Sequence, residues 1–148
     1  MAKKILLARP HSFIVSEMKP FLERNGYQPV KLESLDDIHP GKLGTINGAI
    51  ISTAVVSSIT AKPAEVLAAL RKHYPALPVL FAGLTDFDST LPTLQRIVQD
   101  THAGATILPF NSSAENHPRL GERDVFLFLS KDDIASEASG NLLRHHFR

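Results

Sequence analysis

The 148-residue chain contains no cysteine, no long apolar run and almost no net charge. Without cysteine it can form no disulfide, thiol nucleophile or cysteine-ligated metal centre. No apolar run approaches the roughly 18 residues that a membrane-spanning helix requires. A formal net charge of +1 gives no sign of a nucleic-acid clamp or a basic membrane-binding surface. We therefore expect a cytoplasmic protein that binds neither nucleic acid nor membrane.

The sequence motifs of several enzyme classes are also missing. There is no G-x-S-x-G elbow of a serine hydrolase, and no G-x-G-x-x-G or P-loop for a nucleotide. The seven histidines are scattered, and only His145 and His146 are adjacent. Neighbouring residues of a helix point about 100° apart, so this pair does not converge on one ion. We expect no metal site, no cofactor and no enzymatic activity.

Short apolar runs alternate with helical patterns over most of the chain. Runs at residues 4–8, 48–51, 79–82 and 106–108, and a weaker one at 28–32, predict strands covered on both faces. Helical patterns cover residues 12–24, residues 63–73, and a segment from Asp88 or Ser89 to before Gly104. Residues 35–38 could add a turn that His39-Pro40-Gly41 cuts short. This alternation predicts a flavodoxin-like (βα)5 three-layer sandwich with a parallel sheet in the order 2-1-3-4-5.

The end of the chain departs from this pattern. A polar stretch at residues 111–121 reads as a loop, and residues 125–129 are the most apolar five in the chain. We interpret residues 125–129 as an extra strand, with the middle of a last helix as the alternative. Ser130 and Asp133 then resemble a capping box for a helix that runs to about His146 and is interrupted near Gly140. We expect residues 1–111 to form the main domain and residues 112–148 an extension packed on it.

Several segments resemble the receiver domain of bacterial response regulators. Residues 3–13 are similar to its opening, residues 63–80 to its middle, and the stretch from Gly104 to Phe110 to its close, so the resemblance extends over residues 3–111. The family's reaction needs an acidic pair after strand one and an aspartate that ends strand three, which bind Mg²⁺ and accept phosphate. It also uses a hydroxyl after strand four and a lysine after strand five.

Every position of that reaction centre is substituted in this chain. Arg9 and Pro10 fall on the acidic pair, Ser52 on the phosphate acceptor, Gly83 on the hydroxyl and Leu108 on the lysine. Arginine and proline cannot hold Mg²⁺, and an unassisted serine hydroxyl is a poor nucleophile. The resemblance therefore implies a degenerate pseudo-receiver, which is not phosphorylated and acts by protein–protein contact in or beside a two-component phosphorelay.

Other interpretations of these residues stay open. Arg9, with Ser52 and Thr53, could bind a small anionic ligand such as a nucleotide or phosphate, or Arg9 could simply fill the emptied site. Ser52 or Thr53 could instead be modified, or a degenerate phosphorylation could survive. Asp86 and Asp88 could hold a divalent ion, although capping of the following helix explains them better.

The expected partner is a signalling protein or a second copy of the chain. The extra strand would extend the sheet at an edge or pair with another copy, so a homodimer through residues 112–148 is the predicted self-association. The family's pattern also implies a cis peptide bond between Leu108 and Pro109.

Overall fold

The computed structural model describes residues 3–9, 12–32, 34–53, 62–83, 86–99, 105–109, 118, 120, 122, 124–130 and 139–147. The strands are β1 (Lys3–Arg9), β2 (Tyr27–Lys31), β3 (Gly48–Ser52), β4 (Val79–Gly83), β5 (Thr106–Pro109) and β6 (Val125–Ser130). The helices are α1 (Ser12–Arg24), α2 (Pro40–Leu43), α3 (Pro63–His73), α4 (Phe87–Gln99) and α5 (Ser139–His146), with a 3-10 turn at Leu35–Asp37.

These six strands form one parallel sheet in the order β2-β1-β3-β4-β6-β5. The predicted flavodoxin-like α/β class is confirmed, as are the order of the first four strands and the strand at residues 125–129. The predicted place of the extra strand is wrong. Instead of lying at an edge, β6 lies between β4 and β5, and it displaces β5 to the edge of the sheet.

The composition of the two last strands explains this exchange. Residues 125–129 of β6 are all buried, whereas the four residues of β5 are only half-buried. A strand inside a parallel sheet is covered on both faces and needs apolar side chains on both. Pro109 of β5 has no N–H group to donate to a further strand, so it suits an edge. At the opposite edge, Pro29 and the exposed Lys31 of β2 discourage further pairing.

Apolar side chains cover the sheet on both faces, which gives the three predicted layers. One cluster lies under α1 and α5 and includes Met18, Phe21, Leu22, Leu142 and Leu143. The cluster on the other face lies under α3 and α4 and includes Val66, Leu67, Leu70, Leu94, Ile97 and Val98. Strand β6 contributes to both clusters, with Leu127 and Leu129 in the first, and Phe126 and Phe128 in the second.

Two prolines begin helices. Pro63 begins α3 as predicted, and the backbone N–H of Lys62 donates a hydrogen bond to the Glu65 carboxylate at 3.1 Å. Pro40 was expected to end a helical turn, but it begins α2, where its missing N–H costs nothing in the first turn. Across the described helices, none is long and apolar enough to cross a membrane.

The end of the chain is fastened to the amino end of the sheet. The Phe147 ring occupies the space beside Gly48, so a side chain at Gly48 would collide with it. The Tyr27 hydroxyl donates a hydrogen bond to the Phe147 carbonyl oxygen at 2.9 Å, and the two rings meet edge to face. His146 is fully buried, and its Nε2 lies 2.8 Å from the Val79 carbonyl oxygen. Since a carbonyl only accepts, Nε2 carries the hydrogen.

A polar contact on the surface joins α5 to the end of α1. Arg144 donates a hydrogen bond from its guanidinium to Asn25 Oδ1 at 2.6 Å, and the Asn25 amide donates to the Phe21 carbonyl at 2.8 Å. Burial raises the pKa of the Tyr27 hydroxyl, and the nearby Arg144 charge opposes that rise only in part. Tyr27 therefore stays protonated and keeps its hydrogen bond at neutral pH.

We expect a shortened chain that ends at Ser113 to lose its folded structure. It would lack β6, which is the strand partner of both β4 and β5, and α5, which covers one face of the sheet. A domain of this size is stable by only about 5–15 kcal/mol, and the loss of a central strand exceeds that margin. Circular dichroism and thermal denaturation of the shortened and full chains would test this. A cooperative melt of the shortened chain near the full chain's temperature would contradict it.

Candidate functional site

The carboxyl ends of the central strands form the edge at which the sequence predicts a site. Arg9 ends β1, Ser52 ends β3, Gly83 ends β4 and Ser130 ends β6. Ladder pairing sets Ser52 beside Ala82 and Gly83 beside Ser130. The order of the sheet reverses at β1 and β3, and α1 and α3 cover opposite faces. Ligands of open α/β sheets bind at such a switch point.

Leu108 is not part of this group. It lies in β5 and pairs with Leu127, so that β6 separates it from Gly83. The residue next to Gly83 in the neighbouring strand is Ser130. The peptide bond between Leu108 and Pro109 is trans, contrary to the expectation from the family. The predicted Pro10 lies outside the described residues.

The two hydroxyl residues at the end of β3 are held by the fold. Ser52 is 0% exposed, so its hydroxyl does not face solvent. Thr53 is half-buried, and its backbone N–H donates a hydrogen bond to the Ala82 carbonyl oxygen at 2.8 Å. Its hydroxyl donates to the same oxygen at 3.3 Å. The Ser52 hydroxyl is thus enclosed by the fold, and the Thr53 hydroxyl is engaged with the backbone of β4.

Gly83 has no room for a side chain. A Cβ atom at this position would lie 2.6 Å from Thr53 Oγ1 and 3.0 Å from Phe128 Cζ. The Phe128 ring is backed by Phe87, with 6.3 Å between the two ring centroids. The position that carries the hydroxyl in a receiver is thus occupied in space by the side chains of Thr53 and Phe128.

The β1–β3 ladder is irregular at Arg9. Leu7 pairs with Ile50 and Arg9 pairs with Ile51, so Ala8 and Arg9 together occupy one step of the ladder. An extra residue of this kind is a β-bulge, which is rare between parallel strands and common beside functional sites. In a regular strand Arg9 would fall on the same face as Leu7, which packs in the apolar cluster under α1. The bulge interrupts that alternation at the switch point.

The acidic residues after β4 belong to a helix cap. Asp86 Oδ1 accepts a hydrogen bond from the backbone N–H of Ser89 at 3.0 Å, and α4 begins at Phe87. Hydrogen bonds from Ser89 lower the pKa of the Asp86 carboxyl. Asp86 therefore caps the helix, in agreement with the capping explanation of this residue, and the alternative caps Asp88 and Ser89 are wrong. Asp88 lies exposed in the first turn, where its charge favours the helix.

Sequence reasoning missed Phe128 and Ser130 as residues of this edge. The signal lies in residues 125–129, the most apolar run of the chain, but the sequence alone predicts that run at an edge of the sheet. Within the described part of the chain, no group of three or more histidine or carboxylate side chains is arranged to hold a metal ion. The site is therefore an edge of hydroxyl, glycine and arginine residues.

Comparison with known proteins supports the fold. No model of a protein family matches the chain. Among solved structures, the chain is similar to the crystal structure of a response regulator receiver domain protein from Clostridium thermocellum, with a TM-score of 0.53 and 16% sequence identity. The match covers 99% of this chain and 94% of that chain. At this identity the similarity shows the fold alone, and the chain has a receiver-like fold.

We expect Gly83→Ser, which would restore a hydroxyl at the receiver position, to destabilise the protein. Its Cβ would collide with Thr53 and Phe128, and such overpacking of a core costs about 1–3 kcal/mol. Replacing Thr53 by Ala as well should recover part of the loss, because it removes the nearer obstacle. Urea denaturation of the single and double variants measures both effects. Unchanged stability of Gly83→Ser would show that the space beside Gly83 is not filled.

Proposed function

We propose that the protein is a receiver-like signalling module that does not accept a phosphoryl group and acts by binding a protein partner. The observation that carries this proposal is the filled space beside Gly83, together with the burial of Ser52. The positions that would supply metal ligands in a receiver carry Arg9, Pro10 and Ser52, and none of these is a carboxylate. Mg²⁺ is held by carboxylate and other hard oxygen ligands, so phosphoryl transfer would lack its metal.

The side formed by α4 and β5 is the surface that we propose for partner contact. Strand β5 is the edge of the sheet, and its apolar residues Ile107 and Leu108 are only half-buried. Thr93, Arg96 and Gln99 are exposed on α4 and recur every three residues, so they share one side of the helix. An apolar edge next to a polar helix face is the composition of a transient protein interface.

A partner in or beside a two-component phosphorelay remains a proposal from the sequence resemblance, and a cytoplasmic location remains a proposal from the composition of the sequence. Self-association through residues 112–148 has less support than the sequence suggested. Strand β6 is paired on both sides within the sheet, so strand addition by β6 is not the route that we propose, and residues 142, 143, 146 and 147 pack inside the same chain.

We expect no phosphoryl adduct after incubation with acetyl phosphate and Mg²⁺. Intact-mass measurement detects a single phosphoryl group, and an ordinary receiver domain treated in parallel serves as the positive control. A stoichiometric adduct on the wild-type protein would overturn the first part of the proposal. Ser52→Ala and Thr53→Ala would then show whether the adduct lies at the end of β3.

We expect Arg96→Glu to weaken partner capture about tenfold or more, because it reverses a charge at the centre of the proposed surface. Lys19→Glu is the matched control, since Lys19 is exposed on α1 and α1 covers the opposite face of the sheet. Proteins that co-purify with the wild type, quantified by mass spectrometry against both variants, provide the measurement. Equal loss with both variants, or no loss with Arg96→Glu, would exclude the α4–β5 side.

A further inference from the structure

Two histidines lie side by side at the amino edge of the sheet. His39 immediately precedes α2, which leads into β3, and His73 ends α3, which leads into β4. Their ring centroids are 6.4 Å apart, and the ring planes are inclined at 61°. The two residues are far apart in the sequence, so the scatter of the histidines predicted no metal site. The fold brings these two rings together at the edge opposite to the carboxyl ends of the strands.

The backbone that carries this histidine pair is held by hydrogen bonds. The His39 carbonyl oxygen accepts a hydrogen bond from the backbone N–H of Leu43 at 3.0 Å, which closes the turn of α2. The hydroxyl of Tyr74, the residue after His73, donates to the Gly44 carbonyl oxygen at 2.8 Å. Burial raises the pKa of the Tyr74 hydroxyl, so it keeps this proton at neutral pH. The end of α3 is thereby tied to the end of α2, which sets the spacing of the two rings.

Both rings of the pair are accessible. His73 is exposed and His39 is half-buried, and the His39 side chain makes no capping hydrogen bond to α2. The His39 ring lies against Gly41, where a Cβ atom would be 3.1 Å from Nδ1, so Nε2 is directed away from that backbone. His73 stands in the last turn of α3, where the carbonyl end of the helix dipole favours a positive charge.

We infer that His39 and His73 bind a divalent transition-metal ion, such as Zn²⁺ or Ni²⁺, through one ring nitrogen each. In a chain without cysteine, imidazole is the side-chain ligand that suits these ions. Because a Zn–N bond measures about 2.0–2.1 Å, two imidazole rings that share an ion have their centroids about 5–6 Å apart. The observed 6.4 Å is slightly longer, and a rotation of the exposed His73 side chain closes the difference. Water completes the coordination, since no group of three histidine or carboxylate side chains surrounds an ion among the described residues.

An ion held by this pair joins α2 to α3 and thereby stabilises the native state. It crosslinks the segment before β3 to the segment before β4, whereas the proposed contact surface lies on α4 and the edge strand β5. The metal site therefore does not rest on the proposed function, and the two proposals can fail separately.

Calorimetric titration of the full chain, without a histidine tag, tests the inference with Zn²⁺ and with Ni²⁺. We expect the wild type to bind, and His39→Asn and His73→Gln each to bind at least tenfold more weakly. Both variants should fold, because asparagine is favoured before a helix and glutamine within one. The double variant should lose little more affinity than either single variant, because the loss of one ring already breaks a shared site. His117→Gln, which removes another histidine of the chain, is the matched control and should bind as the wild type does.

Thermal denaturation with each ion gives the second readout, since an ion that binds the native state raises the melting temperature. We expect this rise in the wild type and in His117→Gln, and its loss in His39→Asn and His73→Gln. The absence of both heat and stabilisation with both ions would overturn the inference. So would equal weakening in His117→Gln, or additive losses in the two single variants, which would show that the rings bind separately. If one single variant does not fold, wild-type affinity in the other would overturn the site.

Discussion

The pairing of β6 with β4 is the interaction on which the rest of the structure depends. Strand β6 joins β4 on one side and β5 on the other, so among the described strands β5 is linked to the sheet through β6. It also contributes side chains to both apolar clusters, and the centroid of its Phe126 ring lies 6.0 Å from the guanidinium carbon of the buried Arg71. Arg71 in turn donates a hydrogen bond to the Leu77 carbonyl at 2.6 Å, which positions the segment that leads into β4. A strand near the end of the chain thus completes the centre of the sheet.

The contacts that hold residues 146 and 147 against the sheet follow from the position of β6, because α5 covers the face of the sheet that carries Leu127 and Leu129. Full burial of a ring such as that of Phe147 contributes about 1.5–3 kcal/mol. The hydrogen bonds from Tyr27 and His146 each contribute about 0.5–1.5 kcal/mol. The packing of the Phe147 ring and the polar contacts therefore contribute free energies of similar size. Gly48 is required beside the ring, because only a glycine leaves space for it. The carbonyl that His146 binds belongs to Val79, the first residue of β4.

Most elements could be predicted from the sequence because their signals are local. Continuous apolar runs marked the strands, and Pro63 marked the start of α3. The order of the last two strands is set by competition for one place beside β4, and the family resemblance assigned that place to residues 106–108. The residues themselves favour β6 beside β4, because residues 125–129 are apolar on both faces and Pro109 of β5 suits an edge strand. The bulge at Arg9 depends on the register of β1 against β3, and the Asp86 cap depends on the residue at which α4 begins. Apolar periodicity defines neither of these to within one residue.

The inserted strand also changes the meaning of the substituted reaction centre. Taken from the sequence, Gly83 and Leu108 are two independent losses, of a hydroxyl and of a lysine. In the structure the position of β6 affects both. Because β6 takes the place beside β4, Leu108 lies in the outer strand, and Phe128 of β6, together with Thr53 after β3, fills the space that a side chain at Gly83 would need. Replacing Gly83 alone by a residue with a hydroxyl would not recreate the site of a receiver, because the strand beside β4 is β6 and not β5.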